Sequence, residues 1–284
     1  MTSPRRKLET LLTGGELLLM PCCYDALSGL LVEQAGFPLT FMSGFAVSAA
    51  RLGLPDTGLI SYGEMVEQGR AICERVKIPV IGDADTGYGN AVNVKRTIRG
   101  YAAAGFACAM IEDQLMPKRC GHTSGKMVVE RGEALARIRA AVDAREEGAD
   151  ILVMARTDAR ATHGMEEALA RCRAFVDLGA DIVFLEAPES EPEMERFCRE
   201  IAGPKMANML QHGKTPLLTP DRLAAMGYTI AAYPLTLLSS AVSAMQEALA
   251  ALGRGSYPEH IDFAGLRQIV GFSDYDEEAH RYAD

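Results

Sequence analysis

Short apolar runs recur along the chain at residues 17–20, 39–42, 78–81, 107–111, 151–155, 181–185, 205–208 and 229–232. Each has the length of a buried strand. Between them, segments near 25–35, 63–76, 91–104, 132–147, 165–178, 192–201, 219–226 and 235–252 have helical periodicity and enough residues to return the chain to a parallel strand. Gly36, Gly105, Gly179 and Gly227 each follow a helical segment and precede a strand, where a helix C-terminus favours a residue that tolerates positive φ. The alternation predicts a single (β/α)8 barrel over residues 1–284. An open doubly wound sheet would share it, but no Gly-x-Gly-x-x-Gly follows the first strand.

Two connections exceed ordinary βα loops, residues 43–62 and 113–131, and both lie on the face where barrels keep their chemistry. The second, with Cys120, Gly121, His122, Ser124 and Gly125, has the composition of a gating loop. Residues 253–284 read as a short helical tail.

A hydrophobic fraction of 48% in 284 residues is enough for a large core without disulfides. Seven cysteines, odd in number and without zinc or disulfide spacing, are expected in a reducing, cytoplasmic setting. The N-terminal stretch is too interrupted for a signal peptide, and no apolar run reaches membrane-spanning length. A net charge of -9, spread along the chain, disfavours nucleic acid and anionic membranes as partners. It also means that an anionic substrate needs local cations.

Residues at or just past the strands supply those groups: Ser43, Asp83, Asp85, Glu112, Asp113, Arg156, Asp158, Glu186 and Asn208. Strand alternation would send Asp83 and Asp85 to one face, where they repel unless a cation intervenes. With Glu112 they form a hard, oxygen-rich set suited to Mg²⁺, or to Mn²⁺. Arg156 suits bidentate capture of a carboxylate, or alternatively an ion pair with Glu186 or Asp158. Cys120 follows Lys118 and Arg119 and precedes His122, a setting that favours a thiolate and makes it a candidate acid or base. Cys22 and Cys23 read as barrel filling that could line the site.

The segments Tyr24-Asp25-Ala26-Leu27-Ser28, Gly82-Asp83-Ala84-Asp85-Thr86-Gly87-Tyr88-Gly89, Ile111-Glu112-Asp113-Gln114, Lys118-Arg119-Cys120-Gly121-His122, Ala155-Arg156-Thr157-Asp158 and Leu185-Glu186-Ala187-Pro188 resemble the isocitrate lyase and phosphoenolpyruvate mutase superfamily over nearly the whole chain. The resemblance implies a (β/α)8 barrel that exchanges its last helix between subunits of a homotetramer. It implies Mg²⁺ held by Asp83, Asp85 and, through water, Glu112, with Asp56 a further acidic residue of the site. Ser43, Gly44 and Phe45 would contact the keto-acid portion of the substrate, with Gly121, His122, Arg156, Glu186 and Asn208 around it. Loss of the substrate hydroxyl proton would drive carbon–carbon cleavage, and Cys120 would protonate the departing enediolate. Tyr24 or a metal-linked group would take the first proton; His122, Arg156 and Glu186 complete the catalytic candidates.

Phosphonate-forming mutases carry an asparagine-bearing loop in place of Lys-Arg-Cys-Gly-His, so the resemblance favours carbon–carbon cleavage. Thr123-Ser124-Gly125-Lys126 follows the motif, as in 2-alkylmalate and 2,3-dimethylmalate lyases, whereas methylisocitrate lyases continue with an arginine. The expected substrate is a small 2-hydroxy dicarboxylate, cleaved to a 2-keto acid such as pyruvate and a short carboxylate. Methylisocitrate, with Lys126 reaching a third carboxylate, is the alternative, and oxaloacetate hydrolysis or decarboxylation a further one.

Overall fold

The strands are β1 (Leu18–Cys23), β2 (Thr40–Met42), β3 (Val80–Asp83), β4 (Cys108–Glu112), β5 (Leu152–Thr157), β6 (Ile182–Leu185), β7 (Lys205–Asn208) and β8 (Ile230–Tyr233). In the computed structural model, which describes residues 2–119 and 125–283, they close into a barrel in sequence order. All eight pairings are parallel, and β8 closes on β1 through Leu18–Ile230 to Pro21–Tyr233. Nearly every strand residue is buried, as expected where the barrel interior covers one face and helices the other.

The helices are α1 (Pro4–Leu12), α2 (Ala26–Gln34), α3 (Gly44–Val47), α4 (Tyr62–Arg75), α5 (Ala91–Ala103), α6 (Arg131–Glu146), α7 (Ala159–His163), α8 (Met165–Asp177), α9 (Glu191–Glu200), α10 (Pro220–Met226), α11 (Thr236–Gly253), α12 (Phe263–Val270) and α13 (Phe272–His280). Local chemistry starts them: Asp25, Ser61 and Asn90 cap α2, α4 and α5 with their side chains and form reciprocal capping boxes. Gly36, Gly105, Gly179 and Gly227 all take positive φ at the turns from helix to strand.

Met20, Phe41, Ile81, Met110, Met154, Phe184 and Met206 fill the barrel interior. Leu8 of α1, fully buried, joins this cluster, and Lys7 Nζ donates to the Lys77 carbonyl at 2.7 Å. The N-terminal helix therefore closes the end of the barrel opposite the strand C-termini, a role not anticipated from its basic sequence.

Two compact units divide the chain, Met1–Leu237 with the barrel and Leu238–Asp284 with the helical remainder. In the second unit, Val242, Met245, Leu249 and Leu252 recur along α11 at helical spacing, all of them exposed. Phe263, Leu266 and Val270 do the same along α12. Among the described residues, no helix is long and apolar enough to cross a membrane.

Candidate active site

A cavity opens at the C-terminal ends of the strands. Its polar wall is Ser43, Asp56, Asp83, Glu112, Gln114, Lys118, Arg119, Arg156, Glu186 and Asn208. Its apolar wall includes Cys22, Phe41, Phe45, Phe184, Leu210, Pro234 and Leu235. Of the residues singled out in the sequence, Ser43, Phe45, Asp56, Asp83, Glu112, Arg156, Glu186 and Asn208 meet here. Cys22 lines the cavity as well, and burial, with Cys23 and Asp83 nearby, pushes its thiol up, so it stays protonated. Cys120, Gly121 and His122 lie outside the described residues.

Asp83 and Asp85 are brought together differently from the expected strand alternation. β3 ends at Asp83, and Asp85 has a φ of 54°, in the left-handed region. A tight turn follows the strand: the Asp85 N–H donates to Asp83 Oδ1 at 3.0 Å, and the Asp85 carbonyl accepts from Glu112 N at 2.9 Å. Asp83 Oδ2 accepts from the Gly44 N–H at 3.1 Å. The Gly44 amide expected to face substrate is thus engaged with Asp83. Phe45 follows it in the first turn of α3, where helix geometry supplies no backbone acceptor for the amide.

Charge balance on this side comes from Lys118. Its Nζ lies 2.8 Å from Asp56 Oδ1 and 2.5 Å from Asp85 Oδ1, with all three side chains buried. Burial alone would lower the lysine, but Asp85, Asp83, Glu112 and Asp56 together raise it well above its ordinary value. Burial raises Asp85 to about 6 against the pull of Lys118, with Asp83 and Asp56 pushing the same way as burial. Glu112 is likewise raised well above the carboxylate range, first by burial. The Lys118 ammonium therefore answers these carboxylates.

Asp83, Asp85 and Glu112 are the residues that could hold a metal. Among the described residues no three His, Cys, Asp or Glu side chains form a ready-made cage. The donor set nevertheless fits a hard divalent cation: it consists of buried carboxylates, and Glu112 Oε1 has no hydrogen-bond partner among the described residues. Mg²⁺ takes few protein ligands and keeps several waters, so a preformed cage is not required.

On the opposite side Arg156 faces Glu112 Oε2 at 3.2 Å, Glu186 Oε2 at 3.3 Å and Asp158 Oδ2 at 2.8 Å. Asn208 Nδ2 lies 3.4 Å from both Glu186 oxygens. Asp113 and Asp158, also at strand ends, do not line the cavity. Asp113 accepts from Thr157 Oγ1 at 2.6 Å, the Asp158 N–H at 2.9 Å and Arg171 Nη1 at 2.9 Å, which fixes the end of β5. Lys126 does not line the cavity: its Nζ is 2.6 Å from Asp158 Oδ1 and its side chain is 3% exposed. That contact replaces the expected reach toward a third substrate carboxylate. Tyr24 is half-buried, is absent from the cavity wall, and has its phenol raised by burial and by Asp25. Gln114 was missed in the sequence; its Oε1 accepts from Arg119 N at 3.0 Å and its amide nitrogen is buried without a partner among the described residues.

A closed parallel barrel whose strand ends gather carboxylates, an arginine and a loop lysine around one cavity defines a (β/α)8-barrel enzyme with a site for a small, charged ligand. The chain belongs to the phosphoenolpyruvate phosphomutase family, whose profile matches residues 8–252. It is 42% identical over 282 residues to a 2,3-dimethylmalate lyase from Eubacterium barkeri, covering 98% of this chain and 97% of that protein. An oxaloacetate acetylhydrolase solved with the inhibitor 3,3-difluorooxalacetate superposes with a TM-score of 0.95 at 36% identity, covering 99% of this chain and 97% of the other. A phosphonopyruvate hydrolase solved with oxalate and Mg²⁺ gives a TM-score of 0.88 at 29% identity, covering 99% of both chains. The chain is thus an enzyme of the isocitrate lyase and phosphoenolpyruvate mutase superfamily.

Proposed function

We propose that this enzyme is a Mg²⁺-dependent carbon–carbon lyase that cleaves a 2-alkylmalate such as 2,3-dimethylmalate into pyruvate or another 2-keto acid and a short carboxylate. The observation that carries the reading is the mixed lining of the cavity. Carboxylates and cations share its wall with apolar side chains, among them Phe45, Leu210, Pro234 and Leu235. Those apolar side chains suit alkyl substituents better than a third carboxylate, and Lys126 is already paired with Asp158. The likeness to 2,3-dimethylmalate lyase supports the same substrate class.

In this reading Asp83, Asp85 and, through water, Glu112 hold Mg²⁺, with Mn²⁺ as a substitute. When bound, the cation supplies Lewis-acid polarisation and charge compensation for substrate oxygens. Arg156 anchors a substrate carboxylate, and Glu186 with Asn208 orients the polar end. Ser43 and the Phe45 amide donate to the keto-acid portion, and Asp56 holds Lys118 at the rim. Glu112 lines the cavity where Tyr24 does not, and with a cation offsetting the burial that raises its carboxyl it would be ionised and could take the hydroxyl proton. The electrons of that O–H bond form the new carbonyl as the carbon–carbon bond breaks, and Cys120, with His122 beside it in sequence, protonates the enediolate fragment. The connection after β4 contributes Gln114, Lys118 and Arg119 to the cavity wall.

A homotetramer that exchanges its last helix completes the proposal, supported by the apolar faces of α11 and α12. So does a cytoplasmic setting, for which the cysteine pattern is the support. The likeness to oxaloacetate acetylhydrolase favours one second reading, hydrolysis of oxaloacetate. The test is initial 2-keto acid release from 2-methylmalate, 2,3-dimethylmalate, methylisocitrate and isocitrate, with oxalate release from oxaloacetate measured alongside. The highest kcat/KM is expected for an alkylmalate. Preference for methylisocitrate or for oxaloacetate would refute the substrate assignment.

A further inference from the structure

Arg156 carries one positive charge yet meets three buried carboxylates, those of Glu112, Asp158 and Glu186. If all three drew on it alone, its charge would be over-compensated and would attract no further carboxylate. The three contacts are unequal. Asp158 grips one edge of the guanidinium in a fork, Nε to Oδ2 at 2.8 Å and Nη2 to Oδ1 at 3.1 Å. Glu112 and Glu186 meet the Nη1 and Nη2 ends at 3.2 and 3.3 Å, and both line the cavity.

Asp158 is fully buried and fixed in place, since its backbone N–H is held by Asp113. Its Oδ1 is also the atom that Lys126 Nζ approaches at 2.6 Å. Lys126 is not among the residues of the cavity wall, and its ion pair links it to the site through Asp158 and Arg156. We infer that Lys126 is a positioning residue: by neutralising Asp158 it lets that carboxylate hold the Arg156 fork in orientation without consuming the charge that captures substrate. The inference rests on the proposed role of Arg156 as carboxylate anchor.

The test is titration of the Mg²⁺-loaded protein with oxalate, with KM and kcat measured on the preferred dicarboxylate. Lys126→Met should weaken oxalate at least about tenfold and raise KM similarly, with kcat within about threefold, because removing one partner leaves a buried charge uncompensated. Lys126→Arg should stay within about threefold of the parent. Lys126→Met/Asp158→Asn removes both charges and should recover most of the loss, a non-additivity expected only of coupled residues. Unchanged oxalate affinity in Lys126→Met, or a double variant no better than the single, would overturn the inference. If Lys126→Met does not fold, the double variant decides: affinity within about threefold of the parent supports the inference, and a tenfold loss overturns it. Arg156→Met separates the two levels. If it binds oxalate normally, the anchor reading itself fails; if it binds weakly while Lys126→Met binds normally, only the role of Lys126 fails.

Discussion

The Gly44 N–H donates to Asp83 Oδ2, and a Cβ at this position would stand 2.5 Å from that oxygen and 3.0 Å from its carbon. Asp83 cannot swing aside freely, because its other oxygen holds the Asp85 amide. Gly44→Ala should therefore displace Asp83 and weaken Mn²⁺ binding about tenfold, equivalent to about 1.4 kcal/mol, with far-UV circular dichroism unchanged. Spin-resonance titration of Mn²⁺ checks this, and parental affinity would show that the close approach has no bearing on the cation. Much of this site was legible from strand ends alone: Asp83, Glu112, Arg156, Glu186 and Asn208 do converge on the cavity. The destinations of individual charges were not. Lys118 joins Asp56 and Asp85, and Lys126 joins Asp158, across separations of tens of residues that only the folded chain closes. Asp113 and Asp158 carry the same strand-end signature as the cavity residues, yet they face neighbouring backbone and cations.

Periodicity located the eight strands, with small shifts in register at their ends. The shift at β3 mattered most, because ending the strand at Asp83 puts Asp85 in a turn and off the pleat. Helix α1 was missed although Ser3 caps it and Pro4 occupies its first turn, both start signals. The tail, read as one short appendage, contains α12 and α13. Exposed Val242, Met245, Leu249 and Leu252 form a stripe that a soluble helix seldom leaves to water. Light scattering should give four times the chain mass of 30.6 kDa, and Leu249→Glu should shift the population toward smaller species. A parental mass of one chain would contradict the tetramer.

Across the whole molecule the net charge of -9 opposes an anionic substrate, so affinity depends on how a few cations are placed. Lys118 and Arg156 stand on the cavity wall, each surrounded by buried carboxylates that outnumber it. A divalent cation would offset that excess and let a dicarboxylate enter, which makes metal the hinge of the account. The most direct test is product release from 2,3-dimethylmalate by one preparation with Mg²⁺, with a chelator, and with Mg²⁺ restored. The account predicts equal amounts of 2-keto acid and short carboxylate with Mg²⁺, a fall of at least about a hundredfold on chelation, and recovery on restoration. Cleavage that persists at the same rate in chelator, or no cleavage with Mg²⁺ present, would contradict it.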